Sequence, residues 1–212
     1  SQANRLLLEG AAPHQLDQVL YDFGMPMGVI AMADLAGLDI GYRMRQALDE
    51  TQYDVESAYL YDNLVEMGRL GQKTGAGVYD YEPGDRTPKP SSITEKLLAE
   101  AAEKFNIKQR EISEEEIIER CFFSLFNVGC NILHEGMAYR ASDIATVYIN
   151  GYGFPAWRGG PMHWAEHAVG LEKILDRIRK FAEIHGDKYW KPSPLLEQLV
   201  AEGGSLRDIQ NT

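Results

Sequence analysis

YDFGMPMGVIAMADLAGLD, residues 21 to 39, is the stretch on which the reading of this chain turns. Its first residues finish an amphipathic helix, Gly24 and Pro26 break it, and helix restarts after Gly28 and runs through Asp34 to Gly37-Leu38-Asp39. Glycine and proline so placed punctuate helices rather than extend them. The same order returns as YGFPAWRGGPMHWAEHAVGLE, residues 152 to 172. Glu9-Gly10 matches Glu135-Gly136, and Asp17 matches Asp143, at an offset of 126 residues. Gly24 and Pro26 match Gly153 and Pro155 at 129, Asp34 matches Glu166 at 132, and Gly37-Leu38-Asp39 matches Gly170-Leu171-Glu172 at 133. The drift falls in glycine turns, where insertions are tolerated. Self-similarity of this kind predicts a duplicated fold, and duplicated copies are expected to pack about a pseudo-twofold axis as a homodimer would.

Working outward, nearly every segment has helical periodicity. Leu16, Val19, Leu20 and Phe23 share one face behind Pro13, a residue suited to the first helical turn. Asp39 is placed to cap the next helix, with Ile40, Met44, Ala47 and Leu48 as its apolar face. Tyr53 to Met67 aligns Leu60, Leu64 and Met67. Gly68, Gly71, Gly75 and Gly77 then end helicity, leaving Val78 to Tyr81 extended at most. PGDRTPKPSS, residues 83 to 92, is the best linker. Beyond it come a helix from Thr94 to Phe105 and a capping box of Ser113 and Glu116 opening a long apolar helix to about Gly136. Ser142 is read as the next cap, Leu171, Ile174, Leu175, Ile178, Phe181 and Ala182 form a clean stripe, and Ser193-Pro194 opens a last helix ending near Gly203-Gly204. The expectation is an all-α chain in two tandem helical lobes, residues 1–83 and 93–212 joined by 84–92, packed as a pseudo-dimer.

Composition narrows the function. The 212 residues carry a net charge of −11, which disfavours nucleic acid and anionic membrane surfaces. Apolar content of 44% and charged content of 25% are those of a globular protein. No apolar run approaches the ~18 residues of a membrane span. Cys121 and Cys130, nine apart on one helix, lie half a turn out of phase and cannot bridge each other. Reduced thiols suggest a cytosol-like compartment. The chain opens at Ser1 without Met or a signal pattern and enters Leu6-Leu7-Leu8 without a helix-entry signal, as a piece of a longer protein would. LRDIQNT at the other end lacks a peroxisomal Ser-Lys-Leu address, which favours a bacterial cytoplasm over a peroxisome.

Few residues suggest chemistry. His163-Trp164-Ala165-Glu166-His167 spells H-x-x-E-H, a zinc-peptidase pattern if both histidines bind metal and Glu166 acts as base. The repeat argues against it, because Glu166 aligns with Asp34, whose neighbours Met32, Ala33 and Leu35 include no histidine. Gly71 to Gly77 is no dinucleotide or phosphate cradle, since no buried strand precedes it and no helix follows. Lys73-Thr74-Gly75 has no S-x-x-K or S-D-N companion. Arg69, Lys73, Arg86 and Lys89 concentrate positive charge around the loop and linker, which could receive phosphates but reads first as a solvated surface. His14 and His134 lack a nucleophile nearby in sequence. Trp157 and Arg158 read as packing for the Gly159-Gly160 turn. Asp17, Asp34 and Asp143 read as helix caps and inter-helix acceptors rather than acid–base groups.

FGMPMG…ADLAGLD and YGFPAWRGGPM resemble the C-terminal region of the NAD-dependent 3-hydroxyacyl-CoA dehydrogenases. The tandem copy and the intervening KTGAGVYDY look like the multifunctional β-oxidation enzymes, which fuse an enoyl-CoA hydratase/isomerase to the dehydrogenase. The likeness runs from Ser1 to about Val200. It implies a helical domain of the 6-phosphogluconate-dehydrogenase C-terminal type that closes over acyl-CoA and mediates dimerisation. NAD and a catalytic His–Glu pair would belong to an N-terminal Rossmann domain, the partner this chain lacks. The family's catalytic asparagine, in an Asn-Arg dipeptide, would fall before Ser1, so Asn4-Arg5 is not its counterpart. Glu119-Arg120 holds the equivalent place in the second copy, which therefore resembles a structural copy standing in for a dimer partner. Pro26, Met27 and Gly28 match the turn that approaches the acyl-thioester end of the substrate. A helical interaction module without an enzymatic parent is the alternative.

Overall fold

Leu16, Val19, Leu20 and Phe23 are indeed the buried face of one helix, and the pattern repeats along the chain. The structure is a computed structural model and describes residues 2–210. The outer ends of the two expected lobes, Ser1 and Thr212, and the last two residues of LRDIQNT lie outside it. In order, the helices are α1 (Gln2–Leu8), α2 (Pro13–Phe23), α3 (Val29–Ala36), α4 (Leu38–Gln46), α5 (Val55–Glu66), α6 (Ser92–Lys104), α7 (Glu114–His134), α8 (Ala141–Tyr152), α9 (Pro161–Trp164), α10 (Leu171–His185), α11 (Asp187–Trp190) and α12 (Pro194–Glu202). A π-helical stretch, Ala165–Val169, continues α9. Among the described residues there is no strand, only isolated antiparallel bridges pairing Gly71 with Ala76, Ala76 with Asp80 and Asp80 with Lys89. The all-α expectation holds.

The chain gathers into two compact units. One comprises the chain up to Phe23 with Met27–Ile117, the other Gly24–Pro26 with the chain from Ile118 onward. The division falls inside α7, and residues 84–92 lie within the first unit, where α6 packs on α1 and α5. Leu6, Leu16, Ile30, Leu60 and Leu64 are fully buried there. In the second unit Phe122 meets the rings of Phe154 and Trp164 edge-on, at 5.7 and 5.6 Å. Ile174, Ile178 and Leu196 complete that core. Asn127 pins the entry to α12, accepting the Ser193 N–H at 2.8 Å and donating to the Lys191 carbonyl at 2.9 Å.

Three local expectations are corrected. Gly37, with φ of 101°, is the N-cap of α4, and Asp39 sits in the first turn, paired with Lys73. Ser142 lies inside α8, which begins after Arg140. Ile40, Met44 and Leu48 are exposed, at 55, 66 and 44%. Arg45 of α4 pairs with Asp62 of α5, and Leu38 is the buried residue of α4, so the helix docks by those groups and its apolar stripe turns outward. Ser113 accepts the Glu116 N–H at 3.1 Å, and the Glu116 carboxylate accepts from Arg110.

Candidate functional site

Two carboxylates, one half-buried and one fully buried, organise the first unit. Asp17, on α2, accepts the N–H groups of Ile30 and Ala31, both at 2.8 Å, and the hydroxyl of Tyr79 at 2.9 Å. It thereby caps α3, whose own N-cap is Gly28 and supplies no side chain. Asp34, fully buried on α3, accepts the N–H groups of Val78 at 2.8 Å and Tyr79 at 2.9 Å, and the hydroxyl of Tyr81 at 2.9 Å. The glycine-spaced loop from Gly71 to Tyr81 thus hooks over Asp34, and Gly71 and Gly77 let this hook fold so tightly. A methyl at Gly77 would overlap the Asp34 carboxylate, and one at Gly71 the Asp34 backbone. Burial raises both carboxyls above the usual aspartate value, opposed by these hydrogen bonds. Burial and the neighbouring carboxylates push the Tyr79 and Tyr81 phenols upward as well.

Gly28, Met27 and Pro26 occupy the turn before α3. A side chain at Gly28 would collide with the Asp17 carboxylate. Its φ of −70° suits any residue, so the close approach that demands glycine is made by Asp17. Met27 is half-buried and Pro26 exposed. In the second unit Pro26 lies against Gly153, where a Cβ would overlap the proline ring. Trp157 there is 73% exposed, with the Arg158 guanidinium 4.2 Å over its ring.

Glu166 plays in the second unit the part Asp34 plays in the first, accepting the Leu206 N–H at 2.9 Å to hold the turn Leu206–Asp208. This is the use the structure makes of the acid in HWAEH. The rings of His163 and His167 lie 4.4 Å apart, with His167 Nε2 3.6 Å from the second Glu166 oxygen. Asp143 departs from the proposed alignment. It pairs with Arg140 at 3.0 Å, and the residue lying against the N-cap glycine of the following helix, as Asp17 lies against Gly28, is Ala145 against Gly160.

The basic cluster is largely spoken for. Arg69 donates to the carbonyl of Gly77, to Asp80 and to Ser91, and Lys73 and Lys89 pair with Asp39 and Glu82. Asn4 accepts the Tyr61 hydroxyl at 3.0 Å, and Arg5 pairs with Asp54 and Glu56, so that dipeptide ties α1 to α5. Glu119 binds Arg177 at 2.7 Å while buried. The glycine loop does not fit a dinucleotide. The Val78 and Tyr79 N–H groups that could meet a phosphate are already bonded to an anionic side chain, and a second anion there would be repelled.

The bond between ADLAGLD and KTGAGVYDY through Asp34 was not read from sequence. Its signal was present: an acid amid apolar residues, followed by a glycine-spaced segment ending in two tyrosines.

Comparison with known proteins agrees with this geometry. The family model for the 3-hydroxyacyl-CoA dehydrogenase C-terminal domain matches residues 1–81 and 117–208. The chain is 44% identical over 95% of its length to a peroxisomal bifunctional enzyme of Danio rerio and 39% identical over 96% to that of Homo sapiens, and covers 30% of each. It thus spans about a third of those relatives. The dehydrogenase part of multifunctional enzyme 1 from C. elegans superposes with a TM-score of 0.73 at 25% identity, over 93% of this chain and 44% of that one. The peroxisomal relatives overturn the expectation of a bacterial cytoplasm. Buried, unpaired Cys130 and half-buried Cys121 need only a reducing environment, which does not single out the cytosol. The two matched segments, on a helical architecture, place this chain in the 3-hydroxyacyl-CoA dehydrogenase C-terminal domain family.

Proposed function

We propose that this chain is the C-terminal helical part of an NAD-dependent 3-hydroxyacyl-CoA dehydrogenase of fatty-acid β-oxidation. The complete enzyme oxidises (3S)-hydroxyacyl-CoA to 3-oxoacyl-CoA in a peroxisomal setting. The observation that carries the reading is the family match over two separate segments, residues 1–81 and 117–208. In this reading the chain holds two copies of the domain, and the first retains the substrate-side turn. NAD and the proton-abstracting group reside in the N-terminal part of the enzyme. This chain supplies an apolar closure over the acyl thioester, with Met27 and Pro26 at the contact and Gly28 seating the turn on Asp17. Removing water from the thioester end strengthens every polar interaction made there.

The test is reconstitution. The chain is titrated with its matching Rossmann domain in the presence of NAD, and turnover is followed with acetoacetyl-CoA and NADH. Association with restored turnover is expected. Absence of both would favour a helical interaction module without an enzymatic role.

A further inference from the structure

The second unit contains a cleft of about 490 Å³. Its position follows from the correspondence between the units. In the first, the acid Asp34 holds the Val78 N–H, and the next residue, Tyr79, sends its hydroxyl to Asp17. In the second, Glu166 holds the Leu206 N–H, the next residue is Arg207, and Ala145 stands where Asp17 would be, against the N-cap glycine. Both members of the Tyr–Asp pair are thus replaced. The tyrosine and its carboxylate partner have no counterpart at these positions, and Arg207 lines the cleft.

The walls of the cleft suit one ligand chemistry. Ala145, Ile149 and Met162 line it with apolar surface, and Arg207, His163 and Arg140 stand around it. The start of α8 also borders it, and the free N–H groups of a helix N-terminus carry partial positive charge. The acids near it are engaged: Glu166 by the Leu206 N–H and Asp143 by Arg140. A volume of this size is that of small-molecule sites, in which an apolar wall and a few convergent polar groups fix orientation. We propose that this cleft binds a small amphipathic carboxylate, its apolar body against Ile149 and Met162 and its carboxylate toward Arg207. Such a molecule replaces both the ring and the anion that the first unit supplies from its own chain.

The probe is decanoate, titrated calorimetrically into the 212-residue chain below its micelle concentration, with decanol as the uncharged control. One saturable site is expected for decanoate. Thr146→Trp, which fills the cleft from an exposed position on α8, should abolish it. Arg207→Gln should weaken it roughly tenfold, as loss of a charged hydrogen-bond partner does, and leave decanol binding unchanged. Met27→Lys in the first unit should have no effect, which separates this site from the proposed acyl contact. No saturable decanoate binding overturns the proposal, as does binding insensitive to Arg207→Gln. That second variant decides the matter even if Thr146→Trp does not fold.

Discussion

Tyr79 donates its hydroxyl to Asp17 at 2.9 Å and its backbone N–H to Asp34 at 2.9 Å. One residue of the glycine hook therefore closes two carboxylates, one on α2 and one on α3. Each carboxylate also satisfies backbone N–H groups: Asp17 those at the start of α3, Asp34 that of Val78. The helices and the irregular loop of the first unit are joined through these charged acceptors.

Removing an acceptor should cost more than removing the hydroxyl. Asp34→Ala leaves two buried N–H groups and a phenol without partners, and a loss of about 3–5 kcal/mol in urea unfolding is expected. Tyr79→Phe deletes one hydrogen bond to a carboxylate and should cost about 1–3 kcal/mol. If Tyr79→Phe proved the more damaging of the two, the hydroxyl bond to Asp17 and not the Asp34 acceptor would be what holds the hook.

Acidification should favour the native state at these two sites. Burial holds the folded pKa of Asp17 and Asp34 above the unfolded value. The stability each contributes is then fully present below the unfolded pKa and lost as pH rises through the folded pKa. The stability of the natural chain relative to Asp34→Asn should therefore be greater near pH ~4 than near pH ~7. Urea midpoints across that range measure it, and a difference that grows with pH would contradict the assignment.

Gly28→Ala tests space alone, since its backbone conformation suits alanine. The added methyl would meet the Asp17 carboxylate, and a loss of about 1–3 kcal/mol is expected. Combining it with Asp17→Gly should give a non-additive result, because the second change removes the obstacle. Strict additivity of the two losses would mean that the methyl clashes elsewhere.

At the turn itself, Met27→Lys in the full-length enzyme should raise KM for acyl-CoA while leaving the unfolding midpoint of this chain near its natural value. Met27 is half-buried, so a lysine can reach water with its charge. Unchanged acyl-CoA kinetics would remove Met27 from the substrate contact.

Thiol chemistry should follow burial. The Cys121 thiol is pushed up to about 12 by burial, and that of Cys130 is raised for the same reason. A disulfide-exchange reagent at mildly alkaline pH should leave both unmodified in the native chain and titrate both in urea. Rapid native reaction of Cys130, which is fully buried, would indicate local opening of α7.

The sequence by itself determined the helices and the two punctuated stretches. A 3.6-residue apolar period, proline at helix starts and glycine at their ends are local signals. They located α2 and α10 with their buried faces, and the bounds of α12. The acids at 34 and 166 were legible as aligned positions in those two stretches. Only the tertiary structure decided what those acids hold, because Asp34 and Val78 are 44 residues apart and no local rule links them. It also turned the Ile40, Met44 and Leu48 stripe outward, since the Arg45–Asp62 pair sets which face of α4 meets α5. It set Asp17 against Gly28 and Ala145 against Gly160, where a helix and a glycine touch. The turn at residues 21 to 39, first visible as a break between two helices, is thus seated by a carboxylate from the helix before it.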